Sequence, residues 1–303
     1  MIFGAILVGL APVFLLVALG GLLRKRLSAN AWLGLDRLNF EILFPALLFV
    51  AASDRPIALA DLARIGPAVW TILLAGLVIG WGARRLGPAR FLDFAGAWQT
   101  AWRFNTALGF VALASLSRGN AALLSVAVGM AVPVANLFAV SALSRGSSLG
   151  FRGTVLKVAL NPFLLASIAG VLVGLSGRTI PAPVLAPLSM LAQAALPIAL
   201  ISVGATMNWG ALARLTPFDA YICTTKLVAL PALTFAGCKL LGADPAMASV
   251  LILFSALPTA SAAHVLASGF GADRELVATL IAQSTLLSAI SLPLWILAAE
   301  LGF

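Results

Sequence analysis

Pro162-Phe-Leu-Leu-Ala-Ser-Ile-Ala-Gly170 restates Pro12-Val-Phe-Leu-Leu-Val-Ala-Leu-Gly20: a proline, an apolar run, and a glycine eight residues on. A second matched pair follows, Glu41-Ile-Leu-Phe-Pro45 and Gln193-Ala-Ala-Leu-Pro197. The copies lie 150 residues apart at the first proline and 152 at the second, and 153 if Asn105-Thr106 is set against Pro258-Thr259. Five apolar stretches per copy turn the second copy upside down in a bilayer. Inverted repeats with broken helices in matching positions point to a secondary transporter.

Hydrophobic residues make up 62% of the 303 and charged residues 10%, against roughly 25% charged in soluble domains. The chain therefore reads as a single all-α transmembrane domain over 1–303, with repeat one at 1–145 and repeat two at 155–303. Ten spans of about 20 residues fall near 4–23, 38–53, 64–83, 94–116, 121–143, 155–175, 183–206, 217–238, 246–269 and 276–298. The N-terminal stretch lacks a basic flank and reads as a first span rather than a cleaved signal. Residues 144–154 read as a short tether between the repeats.

The net charge of +9 raises the question of nucleic acid as a partner. The loop distribution answers against it. With the N-terminus outside, Arg24, Lys25, Arg26, Arg37, Arg84, Arg85, Arg90, Arg145, Arg152, Lys157, Arg214 and Arg274 face the cytoplasm. Arg55, Arg64, Arg118, Arg178 and Lys239 face out. That positive-inside bias places both termini on the outer face of the cell's inner membrane. Cys223 and Cys238 lie about 22 Å apart along one helix, too far for a disulfide with each other, and read as packing residues.

Two cations fall within spans, Arg103 and Lys226, while every acidic residue is assigned to a loop or span end. Arginine at a helix centre costs about 2.5–3.5 kcal/mol on insertion scales, so Arg103 either snorkels to the cytoplasmic surface or serves a watery cavity. Lys226 likewise either snorkels or balances an anion. Around Arg103, Asn105 and Thr106 compete with the helical ladder and Gly109 weakens it. In span nine Pro258 breaks the ladder, followed by Thr259 and Ser261. Two broken helices at matching depth bring half-helix ends together at the bilayer centre, where N-terminal N–H groups suit a carboxylate.

The candidate substrate-binding residues are therefore Arg103, Asn105, Thr106, Pro258, Thr259, Ser261, Lys226, Gln283 and Asn136. No metal site and no cofactor is expected. Asn136, three residues after Pro133, reads as a cavity residue or an interhelical hydrogen bond. Gln283, Ser284 and Thr285 read as lining a cytoplasmic vestibule, and Glu41 as a structural or interfacial carboxylate. The lone histidine, His264, could carry a proton but reads first as a structural hydrogen-bonding residue, so that His264→Ala is expected to leave any pH dependence unchanged.

Five stretches also resemble the auxin efflux carrier family, in order over essentially the whole chain. They are Pro12 to Gly20, Leu38-Asn-Phe-Glu-Ile-Leu-Phe-Pro45-Ala-Leu-Leu-Phe, Arg103-Phe-Asn105-Thr-Ala-Leu-Gly109-Phe, Leu196-Pro197-Ile-Ala-Leu-Ile-Ser-Val-Gly204-Ala and Gln283-Ser-Thr285-Leu-Leu-Ser. The resemblance implies the ten-helix fold shared with bile acid:sodium symporters. Spans 1, 2, 6 and 7 are then a scaffold, and spans 3–5 and 8–10 a mobile domain in which discontinuous helices 4 and 9 cross, at Asn105 and Pro258. It also implies an elevator-like permease for a small organic anion such as malonate or an auxin-like acid, and it is compatible with a homodimer through the scaffold. The alternative is a sodium-dependent symporter of bile-acid-like anions. Sodium-coupled relatives carry an acidic residue in the second crossing helix, and 246–269 has none, which ranks sodium below proton coupling or uniport. An intramembrane serine protease would need a positioned Ser/His pair, for which Ser261 and His264 lack the accompanying turn. An aspartyl protease would need two mid-span aspartates. A passive channel differs from a carrier in flux rate. Substrate identity, transport direction and coupling ion are left open at this level.

Overall fold

The computed structural model describes residues 2–53, 59–113, 115–146, 156, 159–206, 209–210 and 214–303. Arg55, Arg152, Lys157 and most of the 144–154 tether lie outside the described residues. The described chain is helical apart from turns and one isolated bridge. Among the described residues five helices are long and apolar enough to cross a membrane: Ile65–Arg85, Val126–Gly146, Ala182–Thr206, Pro217–Leu240 and Arg274–Gly302.

In chain order the helices are α1 (Ile2–Leu23), α2 (Ala29–Leu38), α3 (Phe44–Ser53), α4 (Leu59–Trp81), α5 (Phe91–Trp98), α6 (Thr106–Leu113) and α7 (Ala121–Gly146). Then come α8 (Pro162–Ser176), α9 (Ala182–Thr206), α10 (Pro217–Thr224), α11 (Leu230–Leu240), α12 (Pro245–Ala256), α13 (Ala262–Phe270) and α14 (Arg274–Gly302). A π-helical turn, Asn39–Leu43, joins α2 to α3, and another, Thr225–Ala229, joins α10 to α11. Such single wide turns inside α-helices are frequent at functional sites.

The helix expected to begin at residue 38 begins nine residues earlier. Ser28 accepts a hydrogen bond from the Ala31 N–H at 3.2 Å, and a serine in this position satisfies an otherwise orphaned first-turn donor. The buried stripe Trp32, Asp36, Asn39 and Leu43 then runs down one face. Asp36, assigned by sequence to a loop, is 1% exposed in this stripe. Local capping chemistry, which hydropathy does not see, sets the boundary.

Close packing follows the glycines of the repeated segments. α1 lies against α9 and α3 against α8. A Cβ placed on Gly20 would fall 2.0 Å from the Ile201 carbonyl oxygen, and one on Gly204 would fall 1.8 Å from that of Val17. On the other pair, a Cβ on Gly170 would fall 2.7 Å from the Phe49 carbonyl oxygen. Small residues permit such backbone approach, and in lipid this packing drives helix association because burial from water does not. Cys223 and Cys238 are both free and buried, in keeping with packing roles.

Candidate functional site

Pro258 organises the second interruption. The residue before a proline is pushed to extended backbone, and Leu257 adopts φ −63°, ψ 143° as α12 ends. The chain resumes helical form at Ala262. The first interruption forms differently: α5 tightens into a 3₁₀ turn at Gln99–Ala101, and Trp102 leaves the helical region at φ −121°, ψ 7°. Asn105 then starts α6 by accepting the Leu108 N–H on Oδ1 at 3.2 Å.

The two interruptions meet. Phe104 and Thr259 form an antiparallel bridge, in which Asn105 N donates to the Pro258 carbonyl at 2.9 Å and Ala260 N to the Arg103 carbonyl at 3.3 Å. Backbone groups freed from the helical ladders thus satisfy one another at depth, as an apolar environment demands. Side chains reinforce the crossing. Thr259 Oγ1 donates to the Thr100 carbonyl at 3.1 Å, Thr259 N donates to Ser284 Oγ at 3.3 Å, and Gln99 Nε2 donates to the Ala263 carbonyl at 3.2 Å.

Both mid-span cations lie at this crossing, and neither snorkels. Arg103 is 5% exposed; its Nη2 donates to Asn136 Oδ1 at 2.9 Å and its Nη1 to Gln99 Oε1 at 3.5 Å. Lys226, on the π-turn between α10 and α11, is fully buried, with Nζ 2.9 Å from the centroid of the Phe104 ring. Among the described residues no carboxylate comes within ion-pair distance of either cation, and Lys226 Nζ has no hydrogen-bond partner. A buried ammonium left without an acceptor is costly, and a negatively charged guest relieves that cost.

The remaining sequence candidates separate into four groups. Asn105 and Thr106 are half-buried at the start of α6, while Pro258, Thr259 and Ser261 are buried at the crossing. Thr259 spends its hydroxyl proton on Thr100, so it braces the bridge rather than offering a free donor. Asn136 holds Arg103 from α7. Gln283 reaches away, its Nε2 directed at the Arg214 carbonyl at 3.5 Å. One turn of α14 carries Ser284, which touches Thr259, and Ile281, Ala282 and Thr285, which wall a cavity of about 230 Å³. Phe14, Val17, Leu200, Val203 and Trp209 add to its apolar lining.

A second polar cluster escaped sequence reading. Asp36 accepts from Ser202 Oγ, from Ser268 Oγ at 3.0 Å and from Arg274 Nη1 at 2.8 Å, and it faces His264 Nε2 at 3.5 Å. The His264 ring thus engages Asp36 and the Arg274 carbonyl. The only signal in the sequence was the 4-3-4 spacing that puts Asp36 in register with Trp32, Asn39 and Leu43. Glu41, by contrast, is half-exposed and pairs with Arg37 at 2.8 Å.

The family described as "Membrane transport protein" matches residues 151–296. A protein of Rhizobium meliloti (strain 1021) named "Putative malonate transporter" is 30% identical over 291 residues, covering 91% of this chain and 90% of the relative. An "Uncharacterized transporter" of Methanothermobacter thermautotrophicus is 33% identical over 108 residues, 36% of each chain.

Proposed function

For a chain that belongs to the auxin efflux carrier family of membrane transport proteins, we propose that the cargo is a small organic anion, a carboxylate such as malonate or an auxin-like acid. It is carried across the inner membrane by elevator-like alternating access. The observation that carries this reading is the pair of buried cations at the crossing with no carboxylate beside them among the described residues. Arg103 keeps guanidinium donors beyond the two it gives to Asn136 and Gln99, and a planar fork suits a carboxylate. Lys226 Nζ supplies a point charge, and Asn105, Thr106 and the first turn of α13 supply neutral donors. The name of the Rhizobium relative agrees with this chemistry. The transporter names of both relatives favour a carrier over an intramembrane enzyme.

The packing supports two inverted repeats, 1–145 and 155–303; ten spans with both termini outside follow from the apolar stretches and the positive-inside charge bias. Gly20 abuts the Ile201 carbonyl and Gly170 the Phe49 carbonyl. The glycines are 150 residues apart and their contacts 152, the offsets of the two matched prolines. Each repeat's first helix therefore packs on the other repeat's second, as a pseudo-two-fold axis requires. These four helices read as the scaffold, and the interrupted helices with their neighbours as the moving part.

Malonate uptake into proteoliposomes tests the reading, with unlabelled mono- and dicarboxylates as competitors. Saturable uptake is expected, and its absence for every carboxylate would overturn the anion assignment. Asn105→Ala removes the α6 cap and a donor, and Thr259→Ala removes a brace of the bridge. Each is expected to lower uptake about tenfold, a loss of about 1.4 kcal/mol, with normal expression. Wild-type rates in both would displace the site from the crossing. The apolar cavity beside Thr285 favours, as a second reading, an anion with an apolar body such as a bile-acid-like compound. Uptake that collapses when sodium is replaced by choline would select a sodium symporter.

A further inference from the structure

Two hydrogen-bond acceptors face the two ring nitrogens of His264. Nδ1 lies 3.2 Å from the Arg274 carbonyl oxygen, and Nε2 lies 3.5 Å from Asp36 Oδ2. A carbonyl oxygen only accepts, so Nδ1 carries a hydrogen. In neutral imidazole the Nε2 lone pair is then left facing a carboxylate, with no hydrogen-bond partner among the described residues. Only imidazolium donates from both nitrogens. The two side chains are 0% and 1% exposed, so bulk water does not supply the missing donor.

We propose that His264 and Asp36 form a proton-binding site that fastens the chain after the second interruption to α2 and α9. The ligand is a proton delivered by hydronium. It forms one N–H bond at Nε2, nothing leaves, and the cluster gains one positive charge. Asp36 and Arg274 already cancel each other, and the Arg274 side chain, 24% exposed, opens the cluster's edge to solvent. Ser202 lies on α9, a helix of the glycine seams, and Asp36 lies on α2, which runs through the π-turn into α3, another of them. His264, Ser268 and Arg274 follow Pro258. A displacement between these two groups separates the imidazole from its carboxylate, so the proton is held in one arrangement and released in another.

The charged residues on elements packed against α13 are Asp36 and Arg37 on α2, Glu41 on the π-turn, Asp93 on α5, Arg145 on α7, and Arg274, Glu275 and Glu300 on α14. α9 has none. Glu41 pairs with Arg37, Asp93 with Arg90 and the Asp273 N–H, and Glu300 accepts from Ser117. Arg145 and Glu275 are exposed. Among the described residues Asp36 alone comes within ion-pair distance of the ring. This gives His264 the proton-carrying role that ranked second when it was read without Asp36, and it stands independently of the anion assignment.

His264 is the only histidine, so protein labelled with ¹⁵N-histidine in lipid nanodiscs gives a single ring spectrum. Both ring nitrogens are expected to be protonated in the wild type, because each faces an acceptor. In Asp36→Asn at matched pH, Nε2 returns to the position of a bare nitrogen while Nδ1 keeps its hydrogen. Asp36→Glu, which keeps a carboxylate opposite Arg274, retains the doubly protonated ring. A bare Nε2 in the wild type at every pH between about 5 and 8 would overturn the proposal, as would an Asp36→Asn spectrum identical to the wild type. Should Asp36→Asn fail to fold, the wild-type series decides alone.

Discussion

Lys226→Met is expected to yield a protein more stable than the wild type that transports no anion. Lys226 Nζ is fully buried, touches the Phe104 ring and has no hydrogen-bond partner among the described residues. The cation–π contact is worth about 2 kcal/mol when desolvated. Burying an ion costs several kcal/mol even after relaxation. Desolvation therefore wins, and a methionine of similar length fills the space without the charge. A gain of at least about 1 kcal/mol corresponds to about 2 °C or more in Tm for a chain of this size. Function moves the opposite way. Losing one of two buried charges that face a carboxylate costs about 2–5 kcal/mol in binding, and so at least about thirtyfold in affinity. Thermal shift with and without malonate reads both: a higher baseline and no further rise on adding ligand. A less stable variant that still transports would mean that Lys226 serves the fold and not the cargo.

Gly204→Ala is expected to prevent assembly of α1 on α9. The added Cβ would sit 1.8 Å from the Val17 carbonyl oxygen, and the obstacle is backbone on both sides. Nothing there can swing aside, so the helices must part by more than an ångström. Overpacking commonly costs about 1–3 kcal/mol where side chains can yield, and here the lost contacts run along the whole seam. Membrane helices have no hydrophobic drive to restore that loss. The expected outcome is aggregated protein on size exclusion in detergent, with Gly20→Ala behaving alike. Gly237→Ala is the control. Nothing lies within 4 Å of its added Cβ, and replacing a helical glycine there is expected to stabilise by about 0.5–1 kcal/mol. A monodisperse Gly204→Ala protein would show that the seam tolerates separation.

Much of the crossing was legible before any coordinates. Pro258 lacks an N–H and pushes Leu257 into extended backbone wherever it stands, so the break in 246–269 is a local consequence of one residue. Asn105 caps and Gly109 weakens, and the other break falls beside them. The repeated Pro–Gly segments likewise announced which helices approach closely, since glycine eight residues after proline recurs in both copies. Arg103 and Lys226 were visible as misfits in apolar stretches. The choice between snorkelling and burial was not, because it depends on Asn136, Gln99 and Phe104 arriving from other helices.

Asp36 shows the limit most clearly. Its neighbours in sequence made it a loop residue, and its partners Ser268 and Arg274 lie 232 and 238 positions away. By itself the sequence determined a membrane protein of apolar helices, interrupted where proline and capping residues stand. Those properties arise within a few residues of chain and need no partner. Only the tertiary structure decided which buried charges are matched by a partner and which are not. Charge balance in a low-dielectric interior is settled by distances across space, and no spacing along the chain encodes them.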